Sequence, residues 1–376
     1  MATRKGRGLG KTAFLNHQRV RIMADLGDAL TEGSHILFAA HVCTPAGGNC
    51  RKFWQFARAV FDALNEQEVL AQLIWRLRVF SDLIPGPVLE RAREPRETIG
   101  DDHWLVQEGV DVDRELTPAV QRGLVEGGVD PLLAEALARF GHSPERFRHN
   151  FLRFQSDYRW RQKAARWLSA DLVSAFRVGQ FTRGLFLIDD FEKTVLEQNR
   201  GERRSFADSI RYTFLDGPTP ATAFNFYSFL WVINPYVQEL LISDWNAAGL
   251  ERFCALGGDR AQGYTLDFLP LSPEATVPLV MAYLDDARSD EALRGSLQPF
   301  SYEAITEASR LNGGLPGFLL QSLHFTTKRA VEEGWTTIGP EQVRQVVTAG
   351  TMAAAPDTGI LPLRPPDINL GEDGGA

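Results

Sequence analysis

Three short apolar runs constrain the fold of this chain more than any other feature. They are His35-Ile36-Leu37-Phe38-Ala39-Ala40-His41-Val42-Cys43, Gly184-Leu185-Phe186-Leu187-Ile188-Asp189-Asp190, and Phe226-Tyr227-Ser228-Phe229-Leu230-Trp231-Val232-Ile233-Asn234. Each has the length of a strand, and none shows the strict alternation of a strand with one wet face. A strand apolar on both sides must be covered on both sides, which is the condition of a parallel sheet under helices. Segments of helical period separate the runs, so the order of elements points to an α/β fold.

The helical segments predicted from that period are 11–26, 51–64, 67–82, 130–140, 145–177, 202–215 and a helix from Pro235 to about residue 248. In 11–26 the apolar side is formed by Phe14, Val20, Ile22, Met23 and Leu26. Four more follow without any strand, at 273–288, 301–312, 315–334 and 340–349, and indicate a separate helical domain. Residues 351–376 are rich in Pro, Gly and Asp, the composition of a disordered tail. The organisation expected is a sheet domain split into 1–65 and 181–268, a helical insertion at 66–180, a helical domain at 269–350 and the tail.

The 376 residues are 44% hydrophobic and 23% charged, ordinary for a globular chain able to bury a sizeable core. The net charge of −8 offers no general attraction to DNA or to an anionic membrane, so a DNA partner would need a local basic patch. No apolar stretch reaches membrane-spanning length, and no signal-peptide core follows the basic first residues. The three cysteines, Cys43, Cys50 and Cys254, have no CxxC spacing. Their odd, low number argues against a disulfide framework or a zinc site and fits a reducing cytoplasm. No HExxH or G-x-S-x-G occurs, and His142 and His149 lack metal-pair spacing on a helix.

Gly8-Leu9-Gly10-Lys11-Thr12 runs directly into the first helix. Small residues let backbone N–H groups wrap phosphate oxygens, lysine reaches the β- and γ-phosphates, and the threonine hydroxyl ligates magnesium. The full pattern places a glycine where this chain has Lys5, and a buried strand before the loop. The five residues Met1–Lys5 are too few for one, which makes an N-terminally truncated ATPase one reading of the sequence.

A phosphate loop needs a distant acidic strand end, and Ile188-Asp189-Asp190-Phe191-Glu192 supplies it. Open α/β sheets bind ligands at the carboxyl ends of their strands. Asp189 is expected to hold magnesium, and Asp190 or Glu192 to orient or deprotonate an attacking water. Asn234 ends the third run. Its amide can reach the γ-phosphate, or it can cap the helix beginning at Pro235.

Taken in order, these pieces resemble the AAA+ P-loop ATPases, near the origin-recognition-like and STAND branches, over residues 6–64 and 184–350. The resemblance matches Lys11 and Thr12 to Walker A, Asp189 and Asp190 to Walker B, and Asn234 to sensor 1. It makes 269–350 the helical lid, with Gly314-Leu315-Pro316 as a turn whose proline region touches the nucleotide. Asp190 stands where many members carry glutamate, and Gly317 where a sensor-2 arginine is common. The resemblance implies ATP and Mg2+ as ligands and a homo-oligomer or protein partner. It also implies an arginine finger, for which Arg203, Arg204 and Arg211 are candidates, Arg211 foremost among them. For each, a solvated helix-face arginine is the alternative.

The stretch 147–167 interleaves Arg148, Arg153, Arg159, Arg161, Lys163 and Arg166 with aromatic residues. It suits single-stranded nucleic acid by stacking and charge, or an amphipathic helix with a basic wet face. The function expected is an ATPase coupling nucleotide binding and hydrolysis to a partner or DNA-associated assembly. The alternative is a nucleotide-dependent interaction module with little or no turnover.

Overall fold

A computed structural model describes residues 9–26, 36–92, 95–140, 163–216, 226–266 and 268–348. The Gly8 position, most of the basic aromatic stretch and the tail lie outside the described residues, as does the side chain of Leu26. The chain divides into two units. One is Thr12–Asp267 with Met1–Arg4, and the other is Phe268–Ala376 with Lys5–Lys11.

The first unit is mixed α/β, mostly helical, around a small parallel sheet. Helix α1 is Lys11–Leu26, and strand β1 is Leu37–Cys43. Helices α2 (Phe53–Glu66), α3 (Val69–Val79), α4 (Gly86–Arg91), α5 (Pro95–Gly100), α6 (Asp102–Gln107), α7 (Thr117–Glu126) and α8 (Pro131–Ala138) follow. Then come α9 (Leu172–Val178), β2 (Arg183–Asp189), α10 (Phe191–Glu197), α11 (Arg200–Arg211), β3 (Tyr227–Trp231) and α12 (Pro235–Ala247). Wide π turns interrupt the helical path at Val112–Leu116, Trp167–Asp171 and Tyr212–Asp216. The last two fall where continuous helices were predicted.

The strands lie in the order β1-β2-β3, all parallel. Leu37 to Cys43 pairs residue by residue with Arg183 to Asp189, and Gly184 to Ile188 with Tyr227 to Trp231. The first and third predicted runs are longer than their strands, and β2 begins and ends one residue before the second run. Asp190 has left the ladder with φ 56°, a left-handed conformation in which it precedes α10.

Alternation in the strands assigns the two faces. Phe38, Ala40, Val42, Phe186 and Ile188 enter the large core, joined by Leu70, Leu73, Leu124, Trp167 and Phe176 from residues 66–180. That helical region therefore shares one core with the sheet. The other face carries Ala39 and Leu187, which pack with Val232 and with Leu15 of α1, and Phe14 and Ile22 lie against them. The predicted apolar side of α1 is corrected at one position. Val20 is 40% exposed, and Leu15, fully buried, takes the central place.

The outer edge of β1 is closed by side chains. Gln67 accepts the His41 N–H at 2.8 Å and donates to the His41 carbonyl at 2.5 Å, and Met23 Sδ accepts the Ala39 N–H at 3.5 Å. These contacts satisfy backbone groups that would otherwise offer an edge for pairing.

Aromatic rings fill the large-core face. Phe38 stacks on Phe176 with centroids 4.4 Å apart and meets Phe181 and Phe186 edge-on. Gly184 makes this possible, because a Cβ there would lie 2.3 Å from the Phe38 ring. Phe38 is fully buried and cannot swing away.

In the second unit, helices α13 (Pro273–Ala287), α14 (Tyr302–Leu311), α15 (Pro316–Glu333) and α16 (Pro340–Thr348) enclose a core of Val280, Ile305, Leu319, Leu323 and Val343. Gly314 has φ +70°, and its carbonyl accepts the Leu271 N–H at 2.8 Å. A Cβ there would meet the Leu271 carbonyl at 2.3 Å, so only glycine fits. Glu307 of α14 holds Arg310 and also Arg344 of α16, at 2.8 and 2.6 Å.

Two outcomes test these packing arguments. Gly184→Ala should lower the unfolding free energy by about 1–3 kcal/mol through overpacking, read from urea unfolding, and an unaltered midpoint would refute the close approach. Hydrogen bonds from Arg310 and Arg344 pull the Glu307 carboxyl down to about 2. A carboxyl lowered on folding stabilises above its unfolded value near 4.5 and loses that contribution as pH falls towards 2. The stability gap between wild type and Glu307→Gln should therefore be full above pH 4.5 and close on acidification. A gap independent of pH over that range would contradict the ion pairing.

Candidate functional site

Asp189 is the last residue of β2, on the face covered by α1, and its side chain is buried. The strand supplies the position because Leu185 and Leu187, four and two residues earlier, turn the same face towards α1. Thr12, in the first turn of α1, donates its hydroxyl to Asp189 Oδ2 at 2.6 Å. These two residues, 177 apart in sequence, are thus in direct contact. Asp189 Oδ1 accepts the Asp190 N–H at 2.9 Å.

The register also brings β1 to this carboxylate. Cys43 pairs with Asp189, and His41 lies two residues earlier on the same face. His41 Nε2 is 3.4 Å from Asp189 Oδ2. Burial by itself would raise the Asp189 carboxyl, but hydrogen bonds from His41, Thr12 and the Asp190 N–H outweigh it and hold the group below its usual value. Burial would likewise lower His41. Hydrogen bonds with Asp189 and Cys43 outweigh that, and the imidazole is raised to about 9. Each partner thus favours the charged form of the other.

Asp190 turns away from this face. Its carbonyl accepts from Thr44 Oγ1 at 2.6 Å, and its carboxylate pairs with the Lys193 ammonium one turn along α10. That contact raises Lys193 above its ordinary value. A left-handed aspartate at a strand end is the kind of backbone strain that collects at functional sites. Glu192 stands in the first turn of α10, where the positive end of the helix favours a carboxylate. The loop after β1 is fixed by Glu197, which accepts the N–H groups of Gly47 and Gly48 at 2.7 and 2.5 Å.

The other predicted residues are placed as follows. Gly10 has φ +77°, and Leu9 is buried. Lys11 opens α1, and its Nζ is buried with no hydrogen-bond partner among the described residues. Asn234 caps α12, accepting the Tyr236 N–H at 3.1 Å through Oδ1, which realises the capping alternative and leaves Nδ2 as its donor. Arg211 pairs with Asp216 and donates to the Ala248 carbonyl at 2.8 Å. Arg203 is held by Asp244 at 3.0 Å and Arg204 by Asp208 at 3.3 Å. All three candidate fingers have partners within the chain. Pro316 is the first residue of α15 in the second unit, with Leu315 as its cap. Cys43 and Cys50 are both free thiols.

His41 and Cys43 were not expected at this site. Their signal is the spacing His-x-Cys at the carboxyl end of a buried strand, which turns both side chains to one face. Among the described residues no helix is long and apolar enough to cross a membrane. Comparison with protein-family models, with curated proteins and with solved structures gives no match.

The buried pair has a measurable coupling. His41→Ala should cost about 1.5–3 kcal/mol, the scale of a hydrogen bond to a charged group. Combined with Asp189→Asn it should cost clearly less than the sum of the single variants in urea unfolding. Additive losses would show that the two side chains do not stabilise one another.

Proposed function

We propose that this chain binds ATP with Mg2+ and hydrolyses it, as a P-loop ATPase of the AAA+ kind with 269–350 as its helical lid. The observation that carries the reading is the hydrogen bond from Thr12 at the start of α1 to Asp189 at the end of β2. A threonine following Gly-Lys and an aspartate ending an apolar strand are the two side chains that hold magnesium in P-loop nucleotide sites.

The donor set suits the ligands. Lys11 Nζ is buried without an acceptor among the described residues, and a buried ammonium is costly unless an anion accompanies it. A β- or γ-phosphate meets that need, with N–H groups at the start of α1 adding to it. Thr12 Oγ1 and Asp189 offer hard oxygen ligands of the type magnesium requires. Bound there, Mg2+ would neutralise charge on the phosphates.

Asp190 or Glu192 would accept the proton of the attacking water, and the Asn234 amide Nδ2 would donate towards it. Asp190 reaches that role only by releasing Lys193. That ion pair supports a second reading, in which nucleotide is bound with little turnover and acts as a switch for partner binding. Arg211, Arg203 and Arg204 being engaged within the chain favours it too. In either case the partner would be a second copy or another protein, since the net charge gives DNA no general attraction.

Calorimetry and phosphate release separate the outcomes. Lys11→Ala should weaken Mg2+–ATP binding by about 30-fold or more, the cost of removing one member of a buried charge pair. Asp190→Asn should keep binding and lose phosphate release if the chain is an ATPase. Binding with no turnover in the wild type would establish the switch instead. Binding unaffected by Lys11→Ala, or none at all, would refute both readings.

A further inference from the structure

His41, Cys43 and Asp189 contribute a ring nitrogen, a thiol sulfur and a carboxylate oxygen, all within 4.8 Å of one another. His41 Nε2 lies 3.4 Å from Asp189 Oδ2 and 3.7 Å from Cys43 Sγ. Zinc bonds of about 2.0–2.3 Å to nitrogen, oxygen and sulfur give tetrahedral edges of roughly 3.3–3.6 Å. These two edges already approach those values. Side-chain rotation alone would complete the cup.

We propose that His41, Cys43 and Asp189 form a three-ligand site for a soft divalent metal such as Zn2+, with its fourth position open to solvent. Metal bound here competes with the use of Asp189 in the nucleotide site.

The frame around the three donors is rigid. Cys43 and Asp189 are partners in the β1–β2 ladder, and Gln67 clamps the backbone of His41 on both its N–H and its carbonyl. The Asp190 N–H orients the second carboxylate oxygen, the outer support that metal ligands commonly carry. Cys43 is exposed, so an ion has a path from solvent. The ligand set also selects the metal. Thiolate and imidazole favour zinc and its neighbours, whereas Mg2+ and Ca2+ require oxygen. On coordination the thiol proton and any proton on the imidazole leave to solvent, and no electrons move.

The competition follows from one shared atom. Asp189 Oδ2 faces both His41 and the Thr12 hydroxyl. A metal held by His41 and Cys43 draws that oxygen towards β1 and takes from Thr12 its acceptor. The metal site stands on geometry alone, while the competition rests on the nucleotide reading above.

The test uses the full chain, freed of metal with a chelator. Zn2+ is titrated against a chromophoric chelator, and Co2+ is followed by the thiolate charge-transfer band. One equivalent of metal and a charge-transfer band are expected, both lost in Cys43→Ser and His41→Gln. Cys50→Ser and Cys254→Ser should retain both. Cys43 is exposed, so its serine variant keeps the fold, checked by circular dichroism. No binding at micromolar Zn2+, or binding that Cys43→Ser and His41→Gln leave unaltered, overturns the site.

In a separate arm, Zn2+ should weaken Mg2+–ATP affinity at least tenfold in the wild type and leave Cys43→Ser unaffected. Unaltered affinity in the wild type overturns the competition. Failure to bind ATP without Zn2+ counts against the nucleotide reading alone, and the titration then still decides the metal site.

Discussion

The buried carboxylate of Asp189 is the constraint on which the rest of the first unit is arranged. An ionised group taken out of water is costly unless it is paired and hydrogen-bonded. Here the compensation comes from three separate parts of the chain: His41 from β1, Thr12 from α1 and the Asp190 N–H from the residue that leaves β2. To deliver them, β1 must pair with β2 in one register, α1 must lie on one face with its first turn at the carboxyl end, and Asp190 must adopt φ 56°. A slip of one residue in β1 would turn His41 and Cys43 into the aromatic core.

The opposite face explains why this polar end can be held in place. Phe38, Phe176, Phe181, Phe186 and Phe226 interlock against Gly184, where there is no room for even a methyl group. Close packing of this kind transmits position, so register set by the rings is kept at the strand ends. The helices of residues 66–180 join that core, which makes them part of the scaffold of the sheet. The site is polar at one end of strands that are otherwise apolar, and the two halves depend on one another.

Much of the architecture was legible because hydrophobic periodicity reports burial directly. The three strands, α1 and the helices of the second unit all follow from it, although β1 and β3 are shorter than their apolar runs. The misses have local causes. Val20 fits the period of α1 but not its packing, since Leu15 lies nearer the centre of the contact with Ala39 and Leu187. The helices near residues 167 and 212 open into π turns, which no pattern of residue types specified.

In the site, residue types nominated Thr12 and Asp189 one by one, because a hydroxyl after Gly-Lys and a carboxylate after four apolar residues have few other uses together. Their hydrogen bond, and the addition of His41 and Cys43, came only with the folded chain. The His-x-Cys spacing puts both side chains on one face of β1 but names no partner until the neighbouring strand is known. Asn234 and Arg211 show the same limit, since capping Tyr236 and holding Asp216 depend on how helices end and meet. Sequence by itself determined which segments are buried and which residues have the chemistry for a site, because burial and side-chain type are local properties. The tertiary structure decided which of those residues share one carboxylate, because register and helix placement are set by packing between segments far apart in the chain.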